Sequence, residues 1–77
     1  MIATTIKRLS RTFNEENIIL KLLEEYAESS ECLKYLTKSE ERKPPREKIV
    51  EELGDVLFRA EVLIDKLGIQ NDIILRI

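Results

Sequence analysis

Histidine and tryptophan are absent from this sequence, and cysteine occurs once, at Cys32. A disulfide within one chain is therefore excluded, and a structural zinc site has too few nitrogen and sulfur ligands. A chain of 77 residues without a disulfide or a structural metal has only a modest core, because folding buries roughly 60–65% of the surface of the unfolded chain. Small folds of this kind usually depend on association, so we expect a single domain over residues 1–77 that assembles into dimers or tetramers.

Long apolar runs and basic clusters are missing as well. No stretch approaches the ~20 apolar residues that cross a bilayer, and the N-terminal residues lack the apolar region of a signal peptide. The 13 basic residues are scattered among 15 acidic ones, with a formal net charge of -2, whereas nucleic-acid-binding proteins usually carry a basic patch. We therefore expect a cytoplasmic protein that binds neither membranes nor nucleic acids.

Helical periodicity is what the sequence does contain, and no segment alternates as a strand would. Helices are expected at about 2–12, 15–38 and 46–66, with a short last helix from about Asn71. Asn14 predicts the N-cap of the second helix, Pro44 and Pro45 separate the second helix from the third, and Gly68 predicts a C-terminal cap. The expected fold class is all-α, a helical hairpin with short flanking helices. Because one hairpin cannot bury both apolar stripes, hairpins from two chains are expected to pair into a four-helix-bundle-like oligomer.

Two pairs of acidic residues lie beside the apolar stripes of the two long helices. At about 100° per residue, Glu25 falls inside the apolar margin of the second helix and Glu28 just outside it. Glu52 and Asp55 repeat this arrangement on the third helix. In an antiparallel hairpin the four carboxylates can converge, which is costly unless a divalent cation compensates. Ligands that are all oxygen suit Mg²⁺ or Mn²⁺.

A solvated, ion-paired surface is the alternative interpretation of these acids. Lys21 precedes Glu25 by one turn, Lys48 precedes Glu52 by one turn, and Arg59 follows the last acid by one turn. Such pairs contribute about 0.2–0.5 kcal/mol each. The spacing alone leaves both interpretations open.

The stretches NIILKLLEEYAES and EELGDVLFRAEVLIDKLGI resemble the MazG-like all-α nucleoside triphosphate pyrophosphohydrolases. That family carries an ExxE element followed, after a spacer, by an ExxD element. Glu25 with Glu28, and Glu52 with Asp55, match the two elements, and the resemblance covers about residues 14–70. It implies a Mg²⁺-dependent enzyme that cleaves a nucleoside triphosphate between the α and β phosphates, with these four carboxylates as metal ligands and catalytic residues.

Phosphate contacts, under the same resemblance, are expected from Lys21, Arg59 and Arg76. The family often has lysine at the first position, but usually an apolar or aromatic residue at the second. It also carries a basic run in its last helix, where this chain has Arg76 alone. This departure leaves open a helical dimerisation or regulatory module without turnover. Phe13 and Tyr26 are expected to pack in the core, with contact to the base of a nucleotide as the alternative.

A related enzyme, phosphoribosyl-ATP pyrophosphohydrolase, shares the fold and the use of acidic residues. Its second motif usually reads more like EAADLLYH, whereas this chain has ELGDVLF. The resemblance therefore favours the MazG-like branch, with phosphoribosyl-ATP as the alternative substrate.

Overall fold

Four α-helices and one short 3₁₀ turn form the part of the chain that the computed structural model describes, residues 2–37 and 43–77. The elements are α1 (Ile2–Thr12), α2 (Glu15–Lys34), the 3₁₀ turn (Tyr35–Thr37), α3 (Arg46–Leu67) and α4 (Gln70–Arg76). The expected all-α hairpin with short flanking helices is confirmed. α2 ends at Lys34 and is followed by the 3₁₀ turn, whereas the sequence predicts a helix to about residue 38. Residue 38 itself lies outside the described residues. Over the described ranges, no helix combines the length and apolar character needed to cross a membrane.

The start of α2 and both ends of α3 form where the sequence predicts them. The side chain of Asn14 accepts a hydrogen bond from the backbone N–H of Asn17 at 2.8 Å, which caps α2. Pro45 occupies the N-cap position of α3. Gly68 ends α3 in the left-handed conformation at φ 67°, and its N–H bonds to carbonyls of the last turn. A residue without Cβ adopts this conformation without strain.

The helices α2 and α3 pack along each other, and α1 lies against α3. A small core of Ile6, Ile18 and Val62 takes one residue from each of these three helices. Ser10 on α1 donates a hydrogen bond to the carboxylate of Asp65 on α3, which fixes α1 beside the hairpin. α4 makes few contacts with the other described elements.

Much of the apolar surface of the hairpin stays uncovered within one chain. The expectation that Tyr26 and Phe13 pack in the core is wrong, since they are 62% and 46% exposed. Leu36 and Leu53, which lie on the apolar stripes, are also exposed. Tyr26 is exposed because α1 covers the hairpin from one side only, and no other element of residues 2–37 and 43–77 packs over the opposite side. Phe13 lies in the connection between α1 and α2, where it lines an open cavity and is not enclosed by the core.

Candidate metal centre

Three carboxylates from the two long helices meet near the middle of the hairpin. One oxygen from each of Glu25, Glu52 and Asp55 lies within 4.8 Å of the others. Glu25 comes from α2, while Glu52 and Asp55 lie about one turn apart on α3. Hard cations bind oxygen ligands at about 2.0–2.6 Å, so oxygens this close together suit a shared ion. We call these three residues the acidic group.

Two members of the acidic group are buried and incompletely partnered. Glu25 and Glu52 are 9% and 6% exposed, and the Oε2 atom of each is buried without a hydrogen-bond partner. Leaving a buried acceptor unsatisfied costs about 1–3 kcal/mol, and more when the group is charged. Such atoms are rare in folded proteins and call for an explanation, such as an ion. The donor chemistry of the group, carboxylate oxygen alone, fits Mg²⁺ or Mn²⁺.

Each buried glutamate has a lysine one helical turn before it. Lys21 Nζ lies 3.8 Å from Glu25 Oε1, and Lys48 Nζ lies 2.9 Å from Glu52 Oε1. The hydrogen bond to Glu52 raises the pKa of Lys48. Both lysine side chains are close to half exposed, so these pairs add little stability. Each lysine therefore partners one oxygen of its glutamate, and the other oxygen stays buried without a partner.

The local electrostatics oppose ionisation of Glu25. Burial raises the pKa of its carboxyl group, and the negative charges of Glu28 and Asp55 raise it further. The positive charges of Lys21 and Arg59 act in the opposite direction without cancelling the shift. A divalent cation at this position would relieve the repulsion that causes the shift.

Glu28 and Arg59 occupy positions at the edge of the acidic group. Glu28 is exposed and is not among the three carboxylates that come within 4.8 Å of one another, although its charge acts on Glu25. The guanidinium of Arg59 lies over the ring of Phe58, 5.2 Å from its centroid. Among the ion pairs of residues 2–37 and 43–77, none joins Arg59 to Asp55.

Arg76 lies away from the contacts that build the acidic group. It is an exposed residue in the last turn of α4, and α4 has no extensive contact with α2 or α3. The described part of one chain therefore does not bring Arg76 together with the other predicted phosphate contacts, Lys21 and Arg59.

An apolar cavity beside the acidic group has no counterpart in the sequence-based prediction. Its volume is about 360 Å³, and it lies where the end of α1 and the start of α2 meet α3. Lys21 and Arg59 line it, and Lys21 also lies 3.8 Å from Glu25, so a lysine connects the cavity with the acidic group. The one signal in the sequence is Phe13, an aromatic residue at the junction of two amphipathic helices. We call this space the apolar cavity.

No model of a known protein family matches the chain, and neither a curated protein nor a solved structure does. The resemblance of the two acidic motifs to the MazG-like enzymes therefore stays a hypothesis. The acidic group and its surroundings are the observations on which a function can be proposed.

Proposed function

We propose that this chain is a Mg²⁺-dependent nucleoside triphosphate pyrophosphohydrolase, with Mn²⁺ as an alternative ion. The observation that carries the proposal is the acidic group, with its three carboxylate oxygens within 4.8 Å of one another and two buried, unpartnered oxygens. Carboxylates this close need a compensating cation. The match to the ExxE and ExxD motifs supports a nucleoside triphosphate as the substrate and pyrophosphate as a product.

The roles of the individual residues follow from their positions. Glu25, Glu52 and Asp55 would hold the ion, with Glu28 available at the edge of the group. The ion, when bound, supplies positive charge that neutralises phosphate oxygens. Lys21 and Arg59 add positive charge on the side of the apolar cavity.

The reaction itself asks little of the remaining side chains. A water oxygen forms a bond to one phosphorus of the α–β phosphoanhydride, the bond from that phosphorus to the bridging oxygen breaks, and a carboxylate accepts a proton of the water. The bridging oxygen leaves with the other phosphorus, which gives a nucleoside monophosphate and pyrophosphate. Phosphoryl chemistry depends mainly on positioning and charge stabilisation, so no covalent nucleophile is required. The single cysteine, Cys32, is buried on α2 and has no role in this scheme.

The test is pyrophosphate release from a panel of NTPs, dNTPs and phosphoribosyl-ATP in the presence of Mg²⁺. Glu52→Gln is compared with Glu51→Gln, a matched control whose side chain is exposed on the same helix. We expect Glu52→Gln to lose about 10–100-fold or more and Glu51→Gln to behave as wild type. Release from phosphoribosyl-ATP alone would assign the related enzyme. A folded protein that binds Mn²⁺ but releases no pyrophosphate would instead be the helical regulatory module.

We also propose that the hairpin pairs with a second copy into a four-helix-bundle-like dimer, or a tetramer built from such pairs. Four apolar side chains are more than half exposed on the side of the hairpin away from α1: Leu23, Tyr26, Val50 and Leu57. We call these four the hairpin face. Around the helix axis, each of them is rotated by about 100–160° from the buried glutamate of its own helix. The residues of α3 that contact α1 are rotated from Glu52 in the opposite direction. Exposed apolar surface of this kind usually marks an interface.

Sedimentation velocity tests this pairing. Leu57→Lys places a charge in the hairpin face and is expected to produce monomers. Leu75→Lys is the matched control, because Leu75 is 85% exposed and lies on α4, outside that face. A wild-type protein that sediments as a monomer at all concentrations would contradict the proposal.

A further inference from the structure

The apolar side chains of the apolar cavity have no role in the hydrolysis step described above. Its apolar lining comes from Leu9, Phe13, Ile18 and Val62. Ile18 and Val62 are 5% and 2% exposed, whereas Phe13 is 46% exposed. The cavity therefore combines fixed, buried aliphatic walls with an aromatic ring that solvent reaches. A volume of about 360 Å³ falls within the usual range for small-molecule sites, about 300–1,000 Å³.

Two cationic side chains join the apolar cavity to the acidic group. Lys21 lines the cavity, and its Nζ lies 3.8 Å from Glu25 Oε1. Arg59 lines the cavity as well, and its positive charge acts on the same glutamate. Along this side of the hairpin the surface changes from carboxylates to cations to apolar side chains. A ligand that fits this order carries a metal-bound polyphosphate at one end and a flat, largely apolar group at the other.

Asn17 is the uncharged polar residue among the residues that line the cavity. Its backbone N–H donates a hydrogen bond to the side-chain oxygen of Asn14, the N-cap of α2. The side-chain amide of Asn17 makes no hydrogen bond within residues 2–37 and 43–77. An amide offers two donors and an acceptor with two lone pairs, which is the complement of a heterocycle edge. Phe13 offers a ring face, and stacking of bases on aromatic rings tolerates every base.

We propose that the apolar cavity binds the nucleobase of the triphosphate, with Phe13 stacking on the base and Asn17 hydrogen-bonding to its edge. The inference rests on the proposed function, because it places the phosphates of the same ligand at the acidic group. It adds that discrimination between bases resides where α1 meets the first turn of α2, in a stretch that precedes Glu25, the first carboxylate of the acidic group. Phe13 supplies affinity for any base, and Asn17 supplies the preference among bases.

The first arm of the test uses nucleosides without Mg²⁺, so that neither phosphate nor metal contributes to binding. Methyl resonances of Leu9, Ile18 and Val62 are followed by NMR during titration with adenosine, guanosine, cytidine and thymidine. We expect these methyl groups to shift in a saturable way with at least one nucleoside, and we expect the shifts to weaken in Phe13→Ala. No saturable shift with any nucleoside, in a folded protein, would overturn the inference.

The second arm compares α,β-imido nucleoside triphosphates with inorganic tripolyphosphate, both with Mg²⁺, by calorimetry. Phe13→Ala is expected to weaken nucleotide binding about fivefold or more and to leave tripolyphosphate binding unchanged. Asn17→Ala should narrow the spread of affinities among the four bases. Leu20→Ala is the matched control, because Leu20 is 55% exposed and lines no part of the cavity. Equal losses for nucleotide and tripolyphosphate in Phe13→Ala would overturn the inference.

The two proposals fail in different ways in these experiments. A protein that binds nucleosides in the cavity but releases no pyrophosphate keeps this inference and loses the proposed activity. A protein that hydrolyses triphosphates, yet binds tripolyphosphate as tightly as nucleotides, keeps the activity and loses this inference.

Discussion

Replacing Glu25 by glutamine is expected to stabilise the metal-free protein near neutral pH. The carboxylate is 9% exposed, its Oε2 atom has no hydrogen-bond partner, and it faces Glu52 and Asp55. Because burial raises the pKa of Glu25 above its ordinary value of 4.5, the native state holds this proton more tightly than the unfolded chain. Stability from this group is therefore fully present below the unfolded pKa and is lost as the pH rises through the folded pKa. Glutamine carries no charge and avoids that loss.

The size of the effect follows from the contacts of Glu25. A buried acceptor without a partner costs about 1–3 kcal/mol, and the amide N–H₂ of glutamine relieves this cost by donating to the nearby carboxylate of Glu52 or Asp55. The partly exposed pair with Lys21 offsets only about 0.2–1 kcal/mol. Lys21 keeps a partner after the substitution, because its Nζ also lies 3.1 Å from Glu24. A net gain of about 1 kcal/mol corresponds to about 4–8 °C in Tm for a domain of this size. Well below the folded pKa, where Glu25 is protonated, the gain should vanish.

Thermal unfolding followed by circular dichroism, with and without Mn²⁺, measures both parts of this prediction. Glu24→Gln is the matched control, because the Glu24 side chain is 55% exposed and shares the same lysine. At about 100 times its dissociation constant, a bound ion adds about 2.7 kcal/mol to wild type and to Glu24→Gln, but little to Glu25→Gln. The reasoning would be refuted by a Glu25→Gln protein that is less stable than wild type without metal, or that gains as much from Mn²⁺.

Three further predictions concern Lys48, Val62 and the two glycines of the chain. Lys48→Met should tighten Mn²⁺ binding measured by calorimetry, because Lys48 partners Glu52 Oε1 at 2.9 Å and competes with the ion for that oxygen. Unchanged Mn²⁺ affinity would contradict this. Val62→Ala should lower the free energy of unfolding in urea by about 2 kcal/mol, because Val62 on α3 is 2% exposed and packs in the core with residues of α1 and α2. A loss near zero would argue against that packing. Gly68→Ala should lower the free energy of unfolding by about 1 kcal/mol, because Gly68 has a φ of 67°. Gly54→Ala should raise it by about 0.5–1 kcal/mol, because Gly54 lies in mid-helix with nothing within 4 Å of an added Cβ. Equal effects of the two substitutions would contradict the assigned backbone conformations.

The sequence predicted the features that depend on one helix or on one helix end. Asn14 and Gly68 form caps because their chemistry acts within a few residues. Glu25 is buried and Glu28 exposed, as a rotation of about 100° per residue requires. These features are local, so the order of residues is sufficient to predict them.

Features that depend on how helices pack could not be predicted from the sequence. α1 lies beside α3 through contacts between residues distant in sequence, namely the packing of Ile6 against Val62 and the hydrogen bond between Ser10 and Asp65, which are 55 positions apart. Helical periodicity shows that Tyr26 lies on an apolar stripe but not which part of that stripe a neighbour covers. The apolar cavity likewise arises where three helices meet, and no single segment carries its pattern.

The connection between α1 and α2 consists of Phe13 and Asn14 alone. The acidic group lies entirely on α2 and α3, whereas α1 and this connection supply one wall of the apolar cavity. Sequence changes before position 14 can therefore reshape the cavity while every carboxylate stays in place. Under the proposed roles, the base contacts Phe13 and Asn17 both precede Glu25 in the chain, so substitutions in that stretch would change the ligand without replacing a metal ligand.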